Sequence, residues 1–272
     1  IRWPILAWSP LPPRWSLNQP RAARSRMRRA NLRKIALAVG LVVAVLAAIA
    51  LWARGKEPAP GGPVGLFTTL PILWSESPDL TASLKSDEAP HWARGTLEQK
   101  GAIEPLDTLT PQTLGKLRRL VMAQPRVLTP TENVALDDWV KAGGRLLLLA
   151  DPALTEESAF PLGDPRRPQA VALLSPILGR WGLDLLFDEH QPFGRKTREV
   201  MGHAVPVNLP GQLATRGQSN CRLWGEGLAV TCAIGRGRVV VLADAALIER
   251  DDPSGEGEKG FSWLLDAAFA AR

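Results

Sequence analysis

Apolar residues fall along this chain in two rhythms. From Ile35 to Ala53 they run without a charge (IALAVGLVVAVLAAIALWA). At about 1.5 Å per residue, that run just crosses a hydrocarbon core of about 30 Å, and it lacks the polar stripe of an ordinary core helix. It predicts a transmembrane helix. A cleavable signal peptide would have a shorter apolar stretch and a small-residue cleavage site; this run ends in Leu51-Trp52-Ala53-Arg54, and Trp suits a membrane interface. Residues 54–63 (RGKEPAPGGP) then read as a linker too poor in apolar side chains to pack.

Beyond the linker the rhythm changes to short apolar runs alternating with helical periodicity. Arg119 to Gln124 (RLVMAQ) reads as a strand, Thr129-Pro130-Thr131-Glu132 opens a helix, and Arg145 to Ala150 (RLLLLA) reads as a second strand. Thr129 and Glu132 have the spacing of a capping box, and Pro130 stands at the first helical position, where its missing N–H is harmless. The helix presents Leu136, Trp139 and Val140 on one face and ends near Gly143. An apolar run with no alternation, such as Leu146 to Leu149, is expected of a strand covered on both faces. The unit is βαβ with parallel strands and a right-handed crossover. Similar signals give a first strand over Val64 to Leu70, a helix over His91 to Lys100, a strand within Ala102 to Leu109, and a short helix from Ser175-Pro176 that Gly182 stops. A strand over Leu183 to Phe187, another over Arg238 to Ala243 and a last helix over Phe261 to Phe269 follow. The expected fold is α/β: a mainly parallel doubly wound sheet with an antiparallel β extension near its C-terminal end.

Charge orients the chain. Nine basic residues and no acidic one precede Ile35, whereas only Arg54 and Lys56, offset by Glu57, lie just past the span. Lys and Arg are retained on the cytoplasmic side, so the N-terminus stays inside and the domain is exported, which in a bacterium means an inner-membrane anchor with a periplasmic domain. The whole chain has 33 Lys+Arg against 27 Asp+Glu, and without those nine the balance is 24 against 27. The net charge of +6 is therefore a topology signal and argues against nucleic acid as a partner. The expected organisation is a basic cytoplasmic tail over 1–34, the span over 35–53, the linker over 54–63 and an extracytoplasmic α/β domain over 64–272. Residues 1–26, rich in Pro and Trp without a period, stand apart from fold reasoning. Met27 opens a run with the form of a bacterial N-terminal anchor and is the expected start of translation.

Candidate chemistry is sparse. Cys221 and Cys232 flank a segment that reads as a hairpin turning at Glu226-Gly227, which sets them opposite each other and, in an oxidising periplasm, within reach of a disulfide. Neither lies on a strand-to-helix elbow, and neither G-x-S-x-G nor a Walker-type phosphate loop occurs. Gly235-Arg236-Gly237 precedes a strand, not a helix, and reads as a turn. His91, His190 and His203 are widely spaced; Glu189 and His190, adjacent on a strand, would face opposite ways, so no metal site and no cofactor is expected. The remaining constellation lies at the carboxyl ends of the strands, where open parallel sheets bind ligands: Thr68, Thr69, Gln124, Asp151 and Asp244. The competing role for such residues is to cap turns.

The run from Leu120 to Pro152 (a strand ending in Gln-Pro, a capped helix, Asp-Asp-Trp-Val-Lys-Ala-Gly-Gly-Arg, an apolar strand, Asp-Pro), together with Arg238 to Ala246 (RVVVLADAA), resembles the auxiliary, non-ATPase subunits of gliding-motility-type ABC transport systems. The resemblance implies a membrane anchor, an extracytoplasmic domain of class I glutamine amidotransferase-like fold without the catalytic cysteine, and transporter permease and ATPase subunits as partners. It differs from longer members in having a single N-terminal span. The function it implies is that of a non-enzymatic accessory or binding protein. The alternatives are an anchored periplasmic hydrolase or amidotransferase-like enzyme, with Asp151 and Asp244 as acid and base, and a structural envelope protein.

Topology is directly testable. An alkaline phosphatase fusion after Arg272 should be active and one after Lys34 inactive; the reverse pattern would overturn the export of the domain.

Overall fold

Parallel strands that bury both faces form the centre of the domain. The computed structural model describes residues 62–76, 90–217, 219–252 and 254–270, and the elements below lie in the unit Pro58–Arg272. The expected span over 35–53 lies outside the described residues, among which no helix is long and apolar enough to cross a membrane. In chain order the strands are β1 (Val64–Thr68), β2 (Ile103–Pro105), β3 (Arg119–Ala123), β4 (Arg145–Leu149), β5 (Leu183–Leu186), β6 (Lys196–Val200), β7 (His203–Val207), β8 (Gln212–Thr215), β9 (Cys221–Trp224), β10 (Ala229–Ile234) and β11 (Gly237–Leu242). The helices are α1 (Trp92–Lys100), α2 (Pro111–Leu114), α3 (Pro130–Lys141), α4 (Ser175–Arg180) and α5 (Glu256–Phe269).

Seven strands make the main sheet in the order β2-β1-β3-β4-β11-β10-β9. From β2 to β11 all neighbours are parallel, and β10 and β9 continue the sheet antiparallel. The protein is thus α/β with a mostly parallel sheet, and the antiparallel extension is present. Because strand side chains alternate, each strand feeds two cores. Leu120, Met122, Leu146, Leu148, Val239 and Val241 pack with Leu136, Trp139 and Val140 of α3 and with Ile177 and Leu178 of α4. On the other face Val121, Leu147, Leu149, Val240 and Leu242 pack with Leu97 of α1 and Phe261, Leu264 and Leu265 of α5.

The βαβ unit has its expected devices. Thr129 Oγ1 accepts the Glu132 N–H at 3.2 Å, and Glu132 Oε2 accepts the Thr129 N–H at 2.9 Å. Glu132 also takes the Leu109 N–H and pairs with Arg126 at 2.7 Å, so the cap ties α3 to the loop before α2. The Arg126 pair and these amides hold its carboxyl down at about 2.

Three expectations need correction. The Leu183–Leu186 strand does not join the parallel sheet: it pairs antiparallel with β8 in a separate two-stranded sheet, because β11 already occupies the free edge of β4. The last helix starts five residues before Phe261, through a Glu-Gly-Glu-Lys-Gly stretch whose glycines disguise it. Gly257 is required there, since a Cβ would run into the Leu247 carbonyl. The β9–β10 hairpin has the expected register, but its paired residues stop at Trp224 and Ala229, so the loop is four residues long, not two. Its residues Gly225, Glu226 and Gly227 all have positive φ.

That register places Cys221 directly opposite Cys232, and the two are joined in a disulfide with a Cα–Cα separation of 4.1 Å. The bridge closes a short loop, so chain entropy assigns it roughly 2–3 kcal/mol. Replacing both cysteines by Ser should lower the melting temperature by roughly 5–10 °C while leaving a cooperative transition, because both cores persist. An unchanged melting temperature would show that the bridge constrains nothing.

Candidate functional site

The strand order places the chain reversal between β1 and β3: from β1 the chain first moves outward to β2 and later returns to the other side of β1. In open parallel sheets the carboxyl ends at such a point diverge and leave a crevice. Thr68 ends β1 and Thr69 follows it, Gln124 follows β3, Asp151 follows β4 and Asp244 follows β11, so all five strand-end candidates lie along this one edge.

Their polar atoms are turned onto the chain itself. Thr68 Oγ1 donates to the Ala123 carbonyl at 2.7 Å, and Thr69 Oγ1 donates to the Gln124 carbonyl at 2.5 Å, so the two hydroxyls pin the end of β1 to the end of β3. Gln124 is fully buried, with φ 42, a left-handed conformation that costs a non-glycine residue energy. This conformation goes with a side-chain amide that extends the ladder: Oε1 accepts the Asp151 N–H at 3.0 Å while Nε2 donates to the Asp151 carbonyl at 3.1 Å and to the Gln169 carbonyl at 2.7 Å. The Gln169 N–H in turn donates to Thr69 Oγ1 at 3.0 Å. The segment after β4 is thereby drawn across the reversal point and occupies it.

Asp151 and Asp244 are fully buried on adjacent strands, two residues beyond the last paired residues Leu149 and Leu242. The Asp151 carboxyl accepts the N–H groups of Ala153 at 2.8 Å and Ala245 at 3.1 Å. That of Asp244 accepts those of Ala246 at 2.6 Å and Asn208 at 3.0 Å. Each carboxyl thus fastens its own turn with one oxygen and a distant segment with the other. Burial outweighs these amides and pushes Asp151 up to about 7, with the Glu249 charge adding to the rise. Burial and the neighbouring Asp151 also hold Asp244 well above the usual carboxylate range. Burial thus favours the protonated form at both positions.

Sequence reasoning did not single out the acids beside this pair. Glu156 is pushed up to about 7 by burial and by the Glu249 and Asp251 charges, while Glu249 accepts from Thr155 Oγ1 at 2.6 Å and pairs with Arg195 at 3.4 Å. Glu249 stands in an Ile-Glu-Arg-Asp-Asp run that looks like a solvated turn, and only the packing of the loop after β4 reveals it. His91 caps α1 by accepting the Ala93 N–H at 3.1 Å; burial and then Arg250 push it down to about 4. Among the described residues no group of three or more His, Cys, Asp or Glu side chains is arranged to hold a metal ion.

No protein-family model and no curated protein matches the chain. Among solved structures it is similar to an exo-β-1,4-mannosidase from an Opitutaceae bacterium, at 16% identity over 86% of this chain and 40% of that one, with a TM-score of 0.45. It is also similar to a cytoplasmic protein from Salmonella typhimurium, at 13% identity over 76% of this chain and 99% of that one, with a TM-score of 0.44. A ThuA-like protein from Bacteroides uniformis is 8% identical over 77% of this chain and 93% of that one, with a TM-score of 0.38. The chain spans less than half the length of the mannosidase.

The raised acids set a pH dependence. A carboxyl whose folded pKa lies above its unfolded value of about 4 contributes stability that is fully present below pH 4 and is lost as pH rises through about 7. His91 acts only at lower pH: its neutral form favours the fold above about 6.5, and that contribution is lost as pH falls through about 4. Above pH 6.5 the acids therefore dominate, and the melting temperature should fall as pH is raised to about 8.5. Asp151→Asn should be less stable overall, because its NH2 replaces one acceptor, yet show a shallower decline. A decline as steep as in the wild type would remove Asp151 from this role.

Proposed function

We propose that this chain is a non-enzymatic, membrane-anchored accessory or binding protein acting with an ABC-type transport system on the outer side of a bacterial inner membrane. Its exported domain then has a glutamine amidotransferase-like or flavodoxin-like doubly wound fold behind one transmembrane helix. The observation that carries the reading is the closed strand-end edge: Thr68, Thr69, Gln124, Asp151 and Asp244 all bond to the chain's own backbone. Such an edge serves to brace a rigid domain and leaves the outer surfaces for partners. The resemblance of residues 120–152 and 238–246 to transporter auxiliary subunits supports the partner class, and the Cys221–Cys232 bridge suits an oxidising compartment.

A second reading, an anchored hydrolase, draws on the two buried carboxyls with raised pKa, which have the protonation pattern of an acid and base pair. It would require the segment after β4 to move off the crevice.

The test is crosslinking of the full-length chain in its native membrane, followed by purification in mild detergent. Recovery of permease and ATPase subunits is expected. Their absence under conditions that keep the chain folded would defeat the accessory reading, and turnover abolished by Asp151→Asn would favour the hydrolase instead.

A further inference from the structure

At the opposite edge of the sheet, where the parallel strands begin, the loops entering β3, β4 and β11 contain no acidic residue. Lys116 and Arg118 precede β3 and Arg236 precedes β11, Arg119, Arg145 and Arg238 stand at or near the starts of their strands, and Lys141, the last residue of α3, pairs with Asp137 at 2.8 Å. Strand register sets Arg119, Arg145 and Arg238 side by side on one face. Two of the three reach backbone carbonyls: Arg119 donates to Lys100 and Gly62, and Arg145 donates to Phe269 at 2.6 Å.

Arg238 is different. Beyond it lies a concavity of about 390 Å³ bordered by Ser219, Asn220, Arg222, Thr231, Ala233 and Arg238 together with the two bridged cysteines, and among the described residues no acidic one borders it. Ala233 pairs with Arg238, and its small side chain leaves the middle of the patch open. Thr231, two residues along the same strand and on the same face, pairs with Arg222, whose guanidinium lies over the Trp224 ring at 4.0 Å. Arg238 Nε and Thr231 Oγ1 are both buried without a hydrogen-bond partner among the described residues. A buried donor left unpaired is costly, and guanidinium and hydroxyl donors bordering one concavity suit a tetrahedral oxyanion.

We propose that this concavity is a binding site for a phosphate-type anion, with Arg238 and Arg222 supplying charge and Thr231 a hydroxyl donor. The group has two chemically equivalent sources, a soluble phosphate and a lipid headgroup. The site is separate from the crevice and does not depend on which reading of that crevice holds.

The experiment uses the full-length chain in nanodiscs of phosphatidylcholine alone or with phosphatidylglycerol, at matched ionic strength, and follows amide hydrogen exchange over residues 219–222 and 231–238. Saturable protection by inorganic phosphate in the phosphatidylcholine discs identifies a soluble anion; protection by phosphatidylglycerol without added phosphate identifies a headgroup. Either outcome supports the site if Thr231→Val and Arg222→Gln each weaken the effect roughly tenfold, as loss of a charge-assisted or buried bond should. Thr231→Val keeps the side-chain shape and Arg222 is exposed, so both variants should fold. No protection in either arm, protection that chloride reproduces, or protection that survives both variants would overturn the proposal.

Discussion

The Gln124 side chain continues the β3–β4 ladder beyond the point where the backbone strands part. Its amide accepts the Asp151 N–H and donates to the Asp151 carbonyl, giving both of these backbone groups a partner, and a second donation captures Gln169. A buried backbone group without a partner costs enough that a divergent sheet end must be solvated, filled or bridged. Here it is bridged, and the left-handed conformation of Gln124 accompanies the bridge. The closed edge, the placement of the segment after β4 and the burial of Asp151 all depend on this clamp.

The two carboxyls extend the same solution to β11. Asp151 reaches the Ala245 N–H and Asp244 reaches the Asn208 N–H, so turns distant in sequence are bound to one pair of adjacent strand ends. Charge is the drawback. Burial keeps the proton affinity of both carboxyls high, with the Asp151 charge adding to the rise at Asp244 and the Glu249 charge at both, which links the firmness of this edge to pH. Chemistry and scaffolding thus compete for the same residues. With every carboxyl oxygen accepting a backbone N–H, scaffolding has the better claim.

Elements with local signals were legible in the sequence. Thr129 and Glu132 announced the start of α3, unbroken apolar runs announced β3, β4 and β11, and the spacing of Cys221 and Cys232 announced their bridge. What was not legible depends on non-local competition. Nothing within Leu183–Leu186 tells that β11 will take the place beside β4, and the start of α5 is masked by glycines whose close approach to Leu247 has no sequence signature. Thr68, Thr69, Gln124, Asp151 and Asp244 could be assigned to one edge from strand order alone, but whether that edge is open depends on residues 151–174. That segment has no period and is held by single long-range bonds such as Gln169 to Thr69. Glu156 and Glu249 were hidden for the same reason.

Whether the edge is closed in solution is measured most directly by native-state hydrogen exchange at the amides of Asp151, Ala153, Asn208 and Ala245. If Gln124 and the two carboxyls hold the edge shut, these amides should exchange as slowly as those of Val121 and Leu147 in the central strands, through global unfolding. Exchange at the rate of exposed turn amides, with the central strands still protected, would show an edge that opens on its own and would contradict the closed crevice.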